Sequence, residues 1–265
     1  MKKFNLIMFL GIFYSFFIFA ADQQSFSYDE DGELHVCLSG DNWSCREVLE
    51  EDIPFLEDLF TNETIMKTYA DGKIKAVGFA RNRVKIWMDR FKQNDPRGAL
   101  LVFNAEGQKI GFVIAGGSEE IGACELAYAY IPSSWGKGIG SDIVAKIVTV
   151  WAPEVKNRNY TCFGGKNLYK IVATASPNNR ASWRILEKNG FHTAKTNIYS
   201  DDILIDYSNR LFSDYDEMEQ AIWDEYASHM ELNTKYLIID YEGKRRAISK
   251  KDYGKLKYHF EYDIL

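Results

Sequence analysis

The chain of 265 residues predicts an α/β fold built on a mixed, mostly antiparallel sheet flanked by helices. Three observations carry this. Strand-like runs follow one another closely: Ala99 to Asn104, Lys109 to Ala115 and Ala123 to Ile131, with Glu106-Gly107 and Gly116-Gly117 as turns. The third run leads through a glycine-dense turn, Trp135-Gly-Lys-Gly-Ile-Gly140, into a helix-like run from Ile139 to Trp151. A buried-type strand, Lys170 to Ala175, then precedes a helix from about Arg180 to Asn189, closed by Gly190 at its C′ position.

In chain order, Lys2 and Lys3 precede an apolar run from Leu6 to Ala21. This is the pattern of a signal peptide or membrane anchor over residues 1–21, and it implies an exported or membrane-anchored protein. Residues 22–42 are polar and read as a linker. A domain over residues 43–212 begins with a short strand, Trp43 to Leu49. Glu50-Glu-Asp-Ile-Pro54 has the acidic first turn and early proline of a helix start, and Phe55, Leu56, Leu59 and Phe60 give that helix an apolar stripe. A second helix over Ala80 to Asn94 places Val84, Trp87, Met88 and Phe91 on one side. Pro153 is read as the stop of the helix that follows the glycine turn. Two more strands are expected at Phe191 to Tyr199 and Ile203 to Ser208.

Residues 213–265 read as a C-terminal helix and β extension. Ser213 caps an amphipathic helix, Glu242-Gly243 suits a hairpin, and Leu256, Tyr258, Phe260, Tyr262 and Ile264 alternate with polar residues as a half-buried strand. Residues 201–231 hold ten acids against one base, and residues 235–265 hold eight bases against five acids. The two blocks either dock on each other or are solvated faces.

The formal charge of −6 gives no sign of a general nucleic-acid surface and is compatible with a polyamine or basic peptide. The four histidines are scattered and no cysteine pair has C-x-x-C spacing, so no metal site is expected. Cys37 and Cys45 are read either as a pair across a short loop or as two unlinked apolar residues. Asn42, Asn62 and Asn159 begin Asn-x-Ser/Thr triplets, which a chain this rich in Asn produces by chance.

A glycine turn that opens a helix exposes N–H groups with no intrahelical acceptor, a setting for phosphate. A tight turn that needs glycine for steric reasons is the other reading. Two stretches decide between them. Trp135-Gly-Lys-Gly-Ile-Gly140 resembles the phosphate loop of the GNAT superfamily of acyl-CoA-dependent N-acetyltransferases. Asn179-Arg-Ala-Ser-Trp-Arg-Ile-Leu-Glu-Lys-Asn-Gly-Phe191 resembles the Asn-x-Ala-Ser to Gly-Phe segment of the branch that includes ribosomal-protein N-terminal acetyltransferases, and Glu125-Leu-Ala-Tyr128 also fits that branch.

The resemblance implies a GNAT-like mixed sheet and acetyl-CoA as co-substrate. The pyrophosphate would lie on the backbone of Gly136, Lys137, Gly138, Ile139, Gly140 and Ser141, next to Trp135. The amide-bearing arm would bond the strand end at Ile131 on one side and Asn179 on the other, although Asn179 also suits a helix cap. Glu125 is the candidate base, with a surface or ion-paired Glu as the alternative. The tyrosine that many family members use as acid is replaced by Leu186, which leaves Ser182 as its substitute and Tyr128 and Tyr130 as further donors. The implied reaction is direct attack of a primary amine on the thioester. The acceptor would be a protein N-terminus, a lysine or a small amine. The alternative is a non-catalytic acyl-CoA- or peptide-binding module.

Overall fold

The structure is a computed structural model, and it describes residues 25–264 apart from 119, 177–178, 199–203, 206–235, 242–243 and 250–255. Its strands are β1 (Ser25–Tyr28), β2 (Leu34–Gly40), β3 (Trp43–Glu47), β4 (Gly98–Asn104), β5 (Lys109–Gly117), β6 (Ala123–Tyr130), β7 (Lys170–Ala175), β8 (His192–Ile198), β9 (Leu204–Ile205), β10 (Tyr236–Tyr241), β11 (Lys244–Ser249) and β12 (Leu256–Asp263). The α-helices are α1 (Ile53–Thr61), α2 (Glu63–Met66), α3 (Phe79–Lys92), α4 (Ile139–Lys146), α5 (Ala152–Asn157) and α6 (Arg180–Lys188). Nine strands form one sheet in the order β1-β2-β3-β4-β5-β6-β7-β12-β8, and β10-β11-β9 form a second. Neighbours in the large sheet are antiparallel except β6 and β7.

Two apolar clusters cover the two faces of this sheet. One packs α1 and α3 through Leu56, Phe60, Val84 and Trp87 onto Leu101, Phe112 and Ala129. The other packs α4 and α6 through Ile143, Val144 and Leu186 onto Val102, Val113 and Leu126. The period of two along β6 sends Glu125, Ala127 and Ala129 to the α1–α3 face and Cys124, Leu126, Tyr128 and Tyr130 to the α4–α6 face.

Three expectations are corrected. Residues 22–42 are not a linker: β1 and β2 belong to the sheet, and Leu34, Val36 and Leu38 are buried on one face. The domain therefore starts before residue 43. It also does not end at residue 212, because β12 lies between β7 and β8 and buries Phe260 and Ile264 in its core.

Pro153 does not stop the helix. Proline lacks the N–H, and its ring crowds the carbonyl one turn back. Here the turn just before it, Ile147–Trp151, widens to π geometry, and the helix continues to Asn157. Of the two readings of Cys37 and Cys45, the unlinked one holds: both are free, and they oppose Arg46 and Leu38, respectively, which places them on opposite faces of the β2–β3 pair.

The expected hairpin flanks do pair, Tyr241 with Lys244. The helix expected from Ser213, the acidic block around it and the apolar start lie outside the described residues. No helix among the described residues is long and apolar enough to cross a membrane.

Candidate active site

The site is made where the sheet splits. β6 and β7 pair over three rungs only, Ala123 with Lys170, Cys124 with Ile171 and Glu125 with Val172. β7 stays paired with β12 as far as Ala175, while β6 runs on to Tyr130 against β5. The two strands therefore part after Glu125, and β6 borders the gap for five more residues, roughly 17 Å of strand.

The sequence expectation placed the exposed strand edge at Ile131. The Ile131 N–H instead donates to the Ile110 carbonyl at 2.8 Å, and its carbonyl accepts from Ser134. Because strand residues alternate in direction, it is Tyr128 and Tyr130 whose backbone groups point into the gap. The Tyr130 carbonyl already accepts the Trp135 indole N–H at 2.7 Å. Trp135 is thus half-exposed at the mouth, with its indole N–H bonded to the strand.

The gap leads to the start of α4. Gly136 and Gly138 have φ of 73° and 82°, the left-handed region, and a Cβ on either would meet nothing within 4 Å. Both are needed for the backbone path, and both face open space. The first intrahelical bond runs from the Asp142 N–H to the Gly138 carbonyl, so the N–H groups of Gly138, Ile139, Gly140 and Ser141 precede the ladder. These donors and the positive helix end fit a pyrophosphate.

Gly140 has a packing role besides its N–H. A Cβ there would lie 3.1 Å from the Tyr130 ring and 3.2 Å from Ile185, so this glycine lets α4 approach β6 and α6. The Ile139 side chain is buried in the core, and only its backbone is available to a ligand. Lys137 is exposed at the rim.

Two anchors around this helix start were not foreseen. Trp43 Nε1 donates to Asp142 Oδ2 at 2.6 Å, and Asn189 Nδ2 donates to the Ser141 carbonyl at 3.1 Å and to Ser141 Oγ at 3.3 Å. Nothing in their local sequence pattern points to these long-range contacts.

Asn179 caps α6, its Oδ1 accepting from the Ser182 N–H at 3.1 Å, and its Nδ2 donates to the Thr68 carbonyl at 3.3 Å. Ser182 is buried, and its Oγ lies 2.9 Å from the Tyr128 hydroxyl. Burial pushes the Tyr128 phenol up to about 12, against the pull of the Ser182 bond, so it is protonated at neutral pH. Tyr130 is stacked beside it, ring centroids 6.0 Å apart, with its hydroxyl buried and without a hydrogen-bond partner among the described residues. Of the two tyrosines, the structure pairs Tyr128 with Ser182.

Glu125 is exposed on the opposite face at the last paired rung. Burial raises the pKa of the nearby Tyr69 hydroxyl, the positive charge of Arg83 lowers it and the negative charge of Glu125 raises it. Glu125 and Ser182 therefore flank the gap from opposite faces and do not touch. Among the described residues no cluster of His, Cys, Asp and Glu could hold a metal.

A family model described as an acetyltransferase (GNAT) domain matches residues 45–192, more than half of the chain. No curated protein matches the sequence. Solved structures with similar folds include a GNAT-family acetyltransferase from Bacillus anthracis, with 14% identity over 86% of this chain and 98% of that one and a TM-score of 0.52. They also include the ribosomal-protein alpha-N-acetyltransferase RimL in complex with coenzyme A, with 14% identity, 84% and 94% coverage and a TM-score of 0.52. A third is a ribosomal-protein alanine acetyltransferase from Vibrio fischeri, with 15% identity, 86% and 97% coverage and a TM-score of 0.51. The chain belongs to the GNAT acetyltransferase family.

Proposed function

We propose that the protein transfers an acetyl group from acetyl-CoA to a primary amine of a polypeptide by direct attack. The observation that carries this reading is the split between β6 and β7, which opens onto unladdered N–H groups at the start of α4. Those N–H groups hold the pyrophosphate, and the gap-facing backbone of Tyr128 and Tyr130 bonds the amide-bearing arm. Glu125 takes a proton from the incoming ammonium, directly or through water. The amine nitrogen then bonds to the thioester carbon while a gap-facing N–H stabilises the oxyanion. The C–S bond breaks, the thiolate takes a proton from the Ser182–Tyr128 pair, and the second proton of the former ammonium leaves the new amide nitrogen to water, from which the pair is reprotonated.

A polypeptide acceptor is supported by the match to the Asn179-to-Phe191 segment and by the names of the ribosomal-protein acetyltransferases with this fold. The apolar start is proposed to export or anchor the chain, which N-terminal sequencing of the isolated protein checks.

The test is thiol release from acetyl-CoA across a panel of peptide N-termini, lysine peptides and polyamines. Acceptor-dependent release is expected, and Glu125→Gln should lower kcat about 100-fold or more while coenzyme A binding is kept. Coenzyme A binding with no release for any acceptor would refute the catalytic reading and favour the binding module.

A further inference from the structure

The segment from residue 67 to residue 97, which includes α3, is strongly basic, against the sign of the whole chain. Residues 67–97 hold nine bases (Lys67, Lys73, Lys75, Arg81, Arg83, Lys85, Arg90, Lys92 and Arg97) and three acids (Asp71, Asp89 and Asp95), while the full chain carries a net −6. Few of these charges are used internally. Among the described residues, ion pairs occupy only Lys75 with Asp71 and Arg97 with Asp95. Lys67, Lys73, Arg81, Lys85 and Lys92 are exposed.

The helix α3 concentrates them. Its buried face is Ala80, Val84, Trp87 and Phe91. Arg81, Lys85 and Lys92 recur at i, i+4 and i+11, a single stripe beside that face. On the other flank Arg83 lies over the Trp87 ring at 5.1 Å, and Arg90 donates to the Arg97 carbonyl at 3.3 Å. Burial lowers the Arg90 pKa, and the neighbouring charges of Arg97 and Arg83 lower it further.

This basic segment reaches the candidate site through Thr68, Tyr69 and Arg83. Thr68 holds Asn179 at the start of α6, and the Tyr69 hydroxyl feels both Arg83 and Glu125. The segment also exposes apolar side chains among its charges: Ile74 is 52% accessible, Val77 93% and Ile86 42%.

We propose that this face docks an acidic polypeptide, so that the amine acetylated beside Glu125 belongs to an acidic protein and not to a polyamine or a basic peptide. The proposal rests on the acetyltransferase reading above and specifies its acceptor. A polycation would be repelled by this face. The interspersed Ile74, Val77 and Ile86 suit a chain with apolar side chains. A nucleic acid matches the charge but brings no aliphatic amine to the site. Charge complementarity of this kind acts mainly on encounter and selection, and it is screened by salt.

Binding and turnover are measured separately on the full chain. An N-blocked acidic peptide, a neutral peptide and a lysine-rich peptide of equal length are titrated by fluorescence anisotropy, with single-stranded RNA as a fourth probe. The acidic peptide should bind on the order of tenfold more tightly than the neutral one at low salt, and the difference should vanish in molar salt. The charge reversal Arg81→Glu/Lys85→Glu/Lys92→Glu should abolish or invert the order while coenzyme A affinity is unchanged. A neutral version, Arg81→Gln/Lys85→Gln/Lys92→Gln, separates loss of attraction from new repulsion. Equal binding of the three peptides, preference for the lysine-rich one, or tighter binding of RNA would overturn the proposal. Acidic-peptide binding without acetylation of its unblocked form would instead overturn the catalytic reading and leave the docking surface standing.

Discussion

The Ser182–Tyr128 pair offers the sharpest test of the chemistry. The 2.9 Å contact joins a buried serine hydroxyl to a phenol that burial holds at about 12. Ser182→Ala leaves the Tyr128 hydroxyl with only the Ser182 carbonyl at 3.5 Å. The loss of one such bond costs about 1 kcal/mol. For a domain of this size that lowers Tm by roughly 2–4 °C. A general-acid role costs much more in rate, on the order of 100-fold in kcat. The assay is steady-state thiol release by Ser182→Ala, Tyr128→Phe and the double variant, with KM for acetyl-CoA measured alongside. If the two hydroxyls pass one proton as a unit, each single variant loses about the same factor and the double variant loses little more. Because Tyr128 stays protonated to high pH, the ascending limb of the pH–rate profile belongs to the base and should not move in any of the three. Singles with wild-type kcat, or a double variant whose loss is the product of the singles, would refute the shared-proton argument.

Two further outcomes test the cradle and the fold. Gly138→Asp forces a side chain onto a left-handed backbone, a strain of about 1–2 kcal/mol, and places negative charge among the helix-start N–H groups; isothermal titration should show coenzyme A affinity reduced by more than tenfold with the far-ultraviolet dichroism retained. Asp52 is fully buried; desolvation raises its carboxyl pKa, but bonds from Arg46 (2.8 Å), Lys109 (2.7 Å) and the Leu49 N–H outweigh that and hold it low. Its contribution is therefore complete above the unfolded carboxylate pKa near 3.8 and is lost as pH falls through the lowered folded value. Asp52→Asn should cost about 3 kcal/mol at neutral pH and flatten the acid limb of a urea-denaturation series.

The local elements were legible because they depend on neighbours in sequence. The acidic start and Pro54 mark α1, the turn around Gly107 marks the β4–β5 hairpin, and Gly190, with φ of 83°, ends α6. The failures concern long-range information. Leu34, Val36 and Leu38 alternate as a strand should, but polar residues between Asp29 and Gly32 and at Ser39 and Gly40 hid them in an apparent linker. The alternation of β12 was visible, yet nothing local says that a strand beginning at Leu256 inserts beside β7. The phosphate loop was recognised as a unit, but only packing separates Gly138, which faces open space, from Gly140, which seats Tyr130 and Ile185.

Ile131 shows how a one-residue shift changes chemistry. Its N–H is turned to β5, so the open edge belongs to the even-numbered residues of β6. The same parity sends the Glu125 side chain to the α1–α3 face and that of Tyr128 to the α4–α6 face. With both groups on one face they would compete for one side of the thioester. In the proposed mechanism, with the sheet split between them, the base would meet the amine from the acceptor side and the Tyr128–Ser182 pair would meet the sulfur from the other. The odd separation of Glu125 and Tyr128 along an extended strand is what assigns them opposite sides. An alanine inserted between Ala127 and Tyr128 would reverse one assignment, moving the phenol to the wall of Ala127 and Ala129 and away from Ser182. That insertion should abolish turnover even where coenzyme A still binds at the start of α4.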